Sequence, residues 1–382
     1  MRMKKIMIMA GEASGDLHGA NLARELKKAD PHLALYGVGS RHMREAGVEL
    51  LADASLISVV GLVEVIRHVG VIYGVLSTLK RFLKDERPDL LILIDFPDFN
   101  IMLGKAARKL GIPVLYYISP QVWAWRRGRV RTIARLVKAM IVVFPFEVPL
   151  YQHAGVDVRF VGHPLTDVVG SALSREQACA AFSLDPARRT VALLPGSRRS
   201  EVASLLPDML EAAKLLSERF PDLQFVLPVA QTLSRECIQA FLDPSGIPVT
   251  LTDGRVYDAL RASDTAIVAS GTATLETGLM AVPMVIVYRV ARITHFVLSR
   301  LVTDVKHIGL VNIVSGERLV PELVQDDATA LNMANAVATM LEDGDYRARI
   351  KFGLESMRAK LGSSGASARA AAVVLELLRG TA

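Results

Sequence analysis

The chain is 382 residues long, 51% hydrophobic and 22% charged, with a net charge of +6 and an isoelectric point near 9.3. That length suits two domains of about 150–200 residues each, and with Cys179 and Cys237 as its only cysteines a disulfide scaffold and a cysteine zinc site are excluded and a reducing compartment is expected. No uncharged apolar run approaches the roughly 20 residues of a membrane span, while the basic balance suits an anionic partner: nucleotide, phospholipid surface or nucleic acid.

The opening apolar run ends at Ala10, before Glu12, too soon for a signal peptide, and Lys5–Ala10 reads as a first strand. Gly11-Glu12-Ala13-Ser14-Gly15-Asp16 follows, then a helix through Lys28. This turn is glycine-rich but is not G-x-G-x-x-G, and no acidic residue follows a second strand at the right place, which argues against a dinucleotide site. Glu12, Ser14, Gly15 and Asp16 sit at the strand's C-terminal end, where open α/β sheets hold ligands. Leu35–Gly37 is the next strand.

Leu56–Leu83 carries one apolar stripe at helical spacing through Val65, Val69, Ile72, Leu76, Leu79 and Leu83, and a second through Val71, Val75 and Phe82. The arc is wider than one core face needs, Gly70 and Gly74 weaken the helix, and Lys80, Arg81, Lys84 and Arg87 follow. A helix buried between two layers and a membrane-surface patch with a basic rim both fit. The patch would comprise Leu62, Ile66, Val71, Tyr73, Val75 and Phe82.

Leu90–Ile94 is an unbroken apolar strand that delivers Asp95-Phe96-Pro97-Asp98-Phe99-Asn100 to its C-terminal end. Two carboxylates there suggest chemistry, although Asp95 or Asn100 could cap a helix over Ile101–Leu110. The strand Val114–Ile118 ends in Ser119-Pro120-Gln121-Val122-Trp123-Ala124-Trp125, and six basic residues with no acidic one lie between Val122 and Met140. Both tryptophans flank this run, as in a nucleic-acid surface, but its arginines fall at several helical angles and read as a solvated face, so no nucleic acid is expected. Met140–Phe144 is a strand, and Arg159–Val161 closes the first half before Gly162-His163-Pro164.

In the second half, Val191–Leu194 is a strand broken by Pro195-Gly196, with Ser197 as a fair N-cap for a helix over Arg198–Leu216 that Pro207 should kink. Strand, glycine turn and helix N-terminus make an anion site, to which Arg198 adds a forked cation, and a phosphate or diphosphate is the natural occupant. One βα turn among many is the plain alternative. Gln224–Pro228 and Val249–Thr252 are strands, and Val256–Ala262 is a helix. Ala266–Ala269 leads into Ser270-Gly271-Thr272-Ala273-Thr274-Leu275-Glu276, a second small-residue turn opening a helix, with Glu276 one turn in and placed to hold a sugar diol. Pro283–Tyr288 is a strand, followed by a helix over His295–Val305, a loop with Asn312, and a break at 361–365 before the helix Ala366–Leu378.

The expected fold is α/β: two doubly wound Rossmann-like domains facing across a cleft, the GT-B plan of two-domain glycosyltransferases. The motifs AGEASGD (Ala10–Asp16), DFPDFN (Asp95–Asn100), SPQVWAW (Ser119–Trp125), GHP (Gly162–Pro164), LPGSRRSE (Leu194–Glu201) and SGTATLE (Ser270–Glu276) come in an order and spacing that closely resemble the lipid-A-disaccharide synthase family from end to end. One departure is Leu310-Val311-Asn312-Ile313, which lacks a proline before the asparagine.

The resemblance implies an inverting hexosyl transfer from UDP-2,3-diacylglucosamine to 2,3-diacylglucosamine 1-phosphate, giving a β-1,6-linked disaccharide 1-phosphate and UDP. On it, Asp98 is expected to be the base, with Glu12 as runner-up, and Ser14, Gly15, Asp16 and Asn100 to line the acceptor cleft. The leaving diphosphate goes to Gly196, Ser197 and Arg198 and to the helix end at Ser270, Gly271 and Thr272, while Glu276 and Asn312 complete the nucleotide-sugar site. No cofactor is expected, the UDP-sugar being a substrate, and no metal, since Asp95 and Asp98 alone are weak evidence for one. The expected domains are an acceptor and membrane-facing domain over 1–165, a UDP-sugar domain over 166–345, and helices over 346–382 that return to the first. Peripheral attachment to the inner face of the cytoplasmic membrane follows from two acylated substrates, and a homodimer stays open. A nucleotide-sugar epimerase of the same plan and a non-catalytic lipid-binding protein are the alternatives.

Overall fold

The computed structural model describes residues 3–57, 62–120, 122, 128–290 and 306–380, the side chains of residues 13 and 62–68 excepted. The expected helix His295–Val305 and the tryptophans Trp123 and Trp125 lie outside the described residues. The chain divides into two units, Met1–Asp167 with Leu361–Ala382, and Val168–Lys360. Among the described residues no helix is long and apolar enough to cross a membrane.

In the first unit β1 (Lys5–Ala10), β2 (Ala34–Gly39), β3 (Glu49–Asp53), β4 (Leu90–Ile94), β5 (Val114–Tyr117), β6 (Ala139–Val142) and β7 (Asp157–Phe160) form one sheet in the order β3-β2-β1-β4-β5-β6-β7. Every pairing is parallel, with Ile6 beside Leu90 and Ala10 beside Ile94 in the central pair. β4 is buried at every position and β1 at all but its first, as strands covered on both faces require. In the second unit β8 (Thr190–Leu194), β9 (Gln224–Val229), β10 (Val249–Asp253), β11 (Thr265–Ala269), β12 (Met284–Tyr288) and β13 (Glu322–Val324) form an all-parallel sheet in the order β10-β9-β8-β11-β12-β13. Strand order reverses between β1 and β4 in one sheet and between β8 and β11 in the other.

Several expectations need correction. The helix Leu62–Glu86 is apolar over a wide arc because it packs on two neighbours, the sheet edge at β3 and the helix Pro97–Lys109. Val75 is therefore core, 7% exposed and clustered with Leu76, Leu79 and Leu83, and Phe82 is half-buried with its ring 5.1 Å from Tyr36. Among the described side chains of this helix, Val69, Val71 and Tyr73 are the large apolar ones left in solvent; those of residues 62–68, Leu62 and Ile66 with them, are outside the described residues. The helix expected over Arg198–Leu216 runs over Arg199–Arg219, with Pro207 inside it. The segment expected to leave the second domain at 346 leaves it at Leu361, because the helix Gly344–Lys360 packs on Leu310–Ser315 and Thr272–Leu279.

Residues after Leu361 are fastened to the first unit by the Gly162-His163-Pro164 turn. His163 N–H donates to the Leu361 carbonyl, the Asp167 carboxylate accepts from the Gly365 and Ala366 amides, and Arg369 donates to Val161, Ser363 and Ser364. Gly162 (φ +85°) and Gly362 (φ +84°) meet face to face; a Cβ on Gly362 would lie 3.2 Å from the Gly162 Cα. This motif is a structural latch, and the helix Ala366–Arg379 it delivers packs on the helix Ala13–Ala29.

His163 is buried beside Phe144, and its Nδ1 accepts from the Leu165 amide, so the ring must be neutral. Burial, and then the neighbouring His18, push its pKa down to about 3, and burial alone pushes His18 to about 4. Both fall below the unfolded value of about 6.5, so the unfolded chain binds more protons and stability falls as pH drops from about 6.5 toward 4. The melting temperature should thus fall from pH 7 to pH 5, and fall less steeply in a His18→Gln, His163→Asn double variant. Parallel pH dependence in both proteins would remove the histidines from the account.

Candidate functional site

Both strand-order reversals receive loops singled out in the sequence, Gly11–Asp16 after β1 with Asp95–Asn100 after β4, and Pro195–Arg198 after β8 with Ser270–Thr272 after β11. Open parallel sheets hold ligands outside the strand C-termini at such reversals.

In the first unit the two loops touch: a Cβ on Gly11 would fall 2.4 Å from the Phe96 ring, so only glycine fits. Asp95 (φ +43°) and Phe96 (φ +44°) are left-handed, which costs on the order of 1–3 kcal/mol each in a residue other than glycine and persists only where surroundings enforce it. The enforcement is visible. The Asp95 carbonyl accepts from the Tyr116 hydroxyl at 2.5 Å and from Asn100 Nδ2 at 2.7 Å, and Asn100 also donates to the Ile94 carbonyl. Asn100 is fully buried in this brace and is no cleft residue; nor does it or Asp95 cap the helix, which starts at Pro97.

The brace aims Asp95 into a mostly buried place near Glu12. Burial first, and then the charge of Glu12, push its pKa up to about 6. Asp98 differs: its side chain is 74% exposed and ion-paired with Arg129. Asp16 is 1% exposed and accepts from the Ser40, His42 and Met43 amides and contacts His42 Nδ1, so it ties down the chain after β2 and is unavailable to a ligand. Gly15 packs against Ala10, and Glu12 and Ser14 are exposed.

In the second unit Gly196 (φ +114°) makes the tight turn, but Ser197 is not the cap. Arg198 is the N-cap residue, and the capping carboxylate is Glu201. Its Oε2 accepts from the Ser197 and Arg198 amides at 3.0 and 3.2 Å, and its Oε1 from Arg198 Nη1 at 3.0 Å. At the other turn Ser270 Oγ donates to the Ile308 carbonyl, and Gly271 and Thr272 are exposed at the start of the helix Thr272–Leu279. Glu276, largely buried, accepts from the Tyr257 hydroxyl at 2.8 Å, and burial raises its pKa. Asn312 is not at a binding surface. It is fully buried, donates to the Val320 carbonyl and Glu322, and accepts from the Val320 amide, while Glu322 in turn holds the Ile308 and Gly309 amides. Tyr257, Tyr116 and Glu322 had no local signal in the sequence; Glu201 had one, its capping-box position three residues after Arg198. Among the described residues no group of three or more His, Cys, Asp or Glu side chains is placed to hold a metal.

Two doubly wound domains, each with loops gathered at a strand-order reversal, make a fold of the GT-B type. The fold is shared with the UDP-GlcNAc 2-epimerase of Neisseria meningitidis solved with UDP-GlcNAc (TM-score 0.67, 13% identity, 97% of this chain and 100% of that one). It is also shared with MurG of Acinetobacter baumannii (TM-score 0.61, 16% identity, 98% and 99%). The model of the lipid-A-disaccharide synthetase family matches residues 6–375, and the chain belongs to that family. The lipid-A-disaccharide synthases of Geobacter metallireducens and Geobacter sulfurreducens are each 55% identical to it, over 98% of this chain and 97% of theirs. That of Syntrophus aciditrophicus is 48% identical over 99% of both. The chain is therefore a hexosyltransferase of lipid A biosynthesis that forms the lipid A disaccharide, and the epimerase alternative, which shares only the fold, is not favoured.

The corrected role of Asn312 has a direct test. Asn312→Ala strands the buried Val320 amide and carbonyl and should cost on the order of 1–3 kcal/mol in unliganded stability, read by denaturant unfolding. Unchanged stability would return Asn312 to ligand binding.

Proposed function

We propose that the donor is UDP-2,3-diacylglucosamine, held on the second unit, and the acceptor is 2,3-diacylglucosamine 1-phosphate, held on the first. Asp95 is the base in this reading. The observation that carries it is a mostly buried carboxyl on an enforced left-handed backbone at the first sheet's reversal, with a pKa of about 6. Ionised at neutral pH and still basic, it suits proton abstraction better than the solvated, Arg129-paired Asp98. Burial keeps Asp95 basic, and the charge of Glu12 adds to it.

The reaction is then a single displacement. The acceptor 6-hydroxyl gives its proton to Asp95 as its oxygen attacks the donor's anomeric carbon from the face opposite UDP. The bond from that carbon to the diphosphate oxygen breaks, and its electron pair leaves with UDP. Arg198, the amides of the Gly196–Arg198 turn and the helix end at Gly271–Thr272 take up the growing charge, an effect of about 3 kcal/mol for one well-placed donor. Glu276, oriented by Tyr257, accepts from the uridine ribose. Both substrates are acylated, so the enzyme works at the inner face of the cytoplasmic membrane, where Val69, Val71 and Tyr73 offer an apolar contact.

Asp95→Asn should lower turnover by about 100-fold or more with UDP affinity kept, while Asp98→Asn keeps most of it. The base must be ionised, so kcat/KM should fall as pH drops through about 6, and Glu12→Gln should move that limb to lower pH by removing the charge that raises it. Near-normal turnover in Asp95→Asn would overturn the assignment. For the membrane contact, replacing Val69, Val71 and Tyr73 together by Ser should release the folded protein from anionic vesicles; unchanged sedimentation would place the contact elsewhere.

A further inference from the structure

We propose that Glu201 is a built-in occupant of the diphosphate site, which the donor must displace to bind; this rests on the reading that the Gly196–Arg198 turn takes the diphosphate. Gly196 has no side chain and a φ of +114°, and the concavity this opens is already filled: a Cβ there would lie 2.4 Å from Glu201 Oε2. That oxygen accepts from the Ser197 and Arg198 amides, and the other oxygen holds the Arg198 guanidinium. An oxyanion thus sits where a phosphate oxygen would sit, on the donors the phosphate would use.

The two anions cannot share these donors. Each amide has one hydrogen to give, and two negative groups in one small turn repel. Binding is therefore an exchange in which Glu201 leaves as the phosphate enters. The carboxylate can go, because its side chain is about one-third exposed (32%) and, among the described residues, its hydrogen bonds all run to this turn and helix start. Its charge also reaches the end of β12, where the Tyr288 phenol is raised in pKa by burial and then by Glu201. Two consequences follow. The empty turn keeps its donors aligned around a surrogate anion, and a ligand enters only if its phosphate charge outcompetes the resident carboxylate. Uridine alone, with no phosphate, has no means of opening the turn.

The test is calorimetric titration of UDP and uridine into the full-length protein and into Glu201→Gln, Glu201→Ala and Arg198→Ala variants. Glu201→Gln removes the charge and keeps the shape, so UDP should bind about tenfold more tightly, since charged hydrogen bonds are roughly twice as strong as neutral ones. Uridine affinity should not move. Glu201→Ala gives the same reading should the glutamine variant fail to fold. If UDP binds either folded variant as weakly as the parent or more weakly, while Arg198→Ala still loses affinity for UDP, Glu201 is a helix cap and the inference fails alone. If Arg198→Ala binds UDP unchanged, the diphosphate is not at this turn, and the reading beneath the inference fails with it.

Discussion

A parallel sheet with helices on both faces must reverse its strand order somewhere, and the chemistry of this chain depends on its two reversals. Each right-handed crossover lays its helix on a fixed side of the sheet. Where a strand is added on the opposite side of its predecessor, the two outgoing loops diverge and leave a crevice at the strand C-termini. The pairs are β1 with β4 and β8 with β11. Strands buried on both faces cannot present polar groups along their length, so the first residues beyond them carry the whole burden of function. Unusual backbone collects there too, strained at Asp95 and Phe96 and taken by glycine without strain at Gly196 and Gly271.

The carboxylates near these crevices are treated in contrasting ways, and the contrast separates structure from chemistry. Asp16 is surrounded by backbone N–H donors and ties two segments together. Asp98 stands in solvent in the first turn of a helix, where a negative charge is favourable, and pairs with Arg129. Asp95 is mostly buried and has a second negative charge nearby, and its pKa rises accordingly. A group kept basic at the expense of stability, on backbone held in an unfavourable conformation by Tyr116 and Asn100, is what a proton acceptor requires and what a merely structural residue does not.

Much of this was legible in the sequence where the signal is local. Unbroken apolar runs such as Leu90–Ile94 and Val191–Leu194 announce central parallel strands, and the glycine turns after them mark the ligand ends. What was illegible depends on partners distant in sequence. Asp95 and Asp98 look alike at three residues' spacing, and only Tyr116, twenty-one residues on, and the start of the helix at Pro97 distinguish them. Asp16 passes for a site residue until its hydrogen bonds to the segment after β2 are seen, and Asn100 and Asn312 until their buried bonds to nearby backbone are. The wide apolar arc of Leu62–Glu86 cannot be divided between core and surface without its second packing partner, which makes Val75 core and leaves Tyr73 in solvent.

The two glycine-rich turns also show why such a turn does not by itself announce a phosphate. Gly11 is a glycine because the Phe96 ring lies against it, whereas Gly196 is one because its φ is +114°, with the Glu201 carboxylate packed where a Cβ would go. The first crevice therefore closes around an aromatic ring and a pair of carboxyls, Glu12 and Asp95, and its local charge is negative. The second already cradles an anion with two amides and a guanidinium. The latter suits a diphosphate better than the former does, while the former offers a basic carboxyl to a sugar hydroxyl that must lose a proton. This difference in charge, more than any likeness of fold, is the physical ground on which we propose the second unit for the donor and the first for the acceptor.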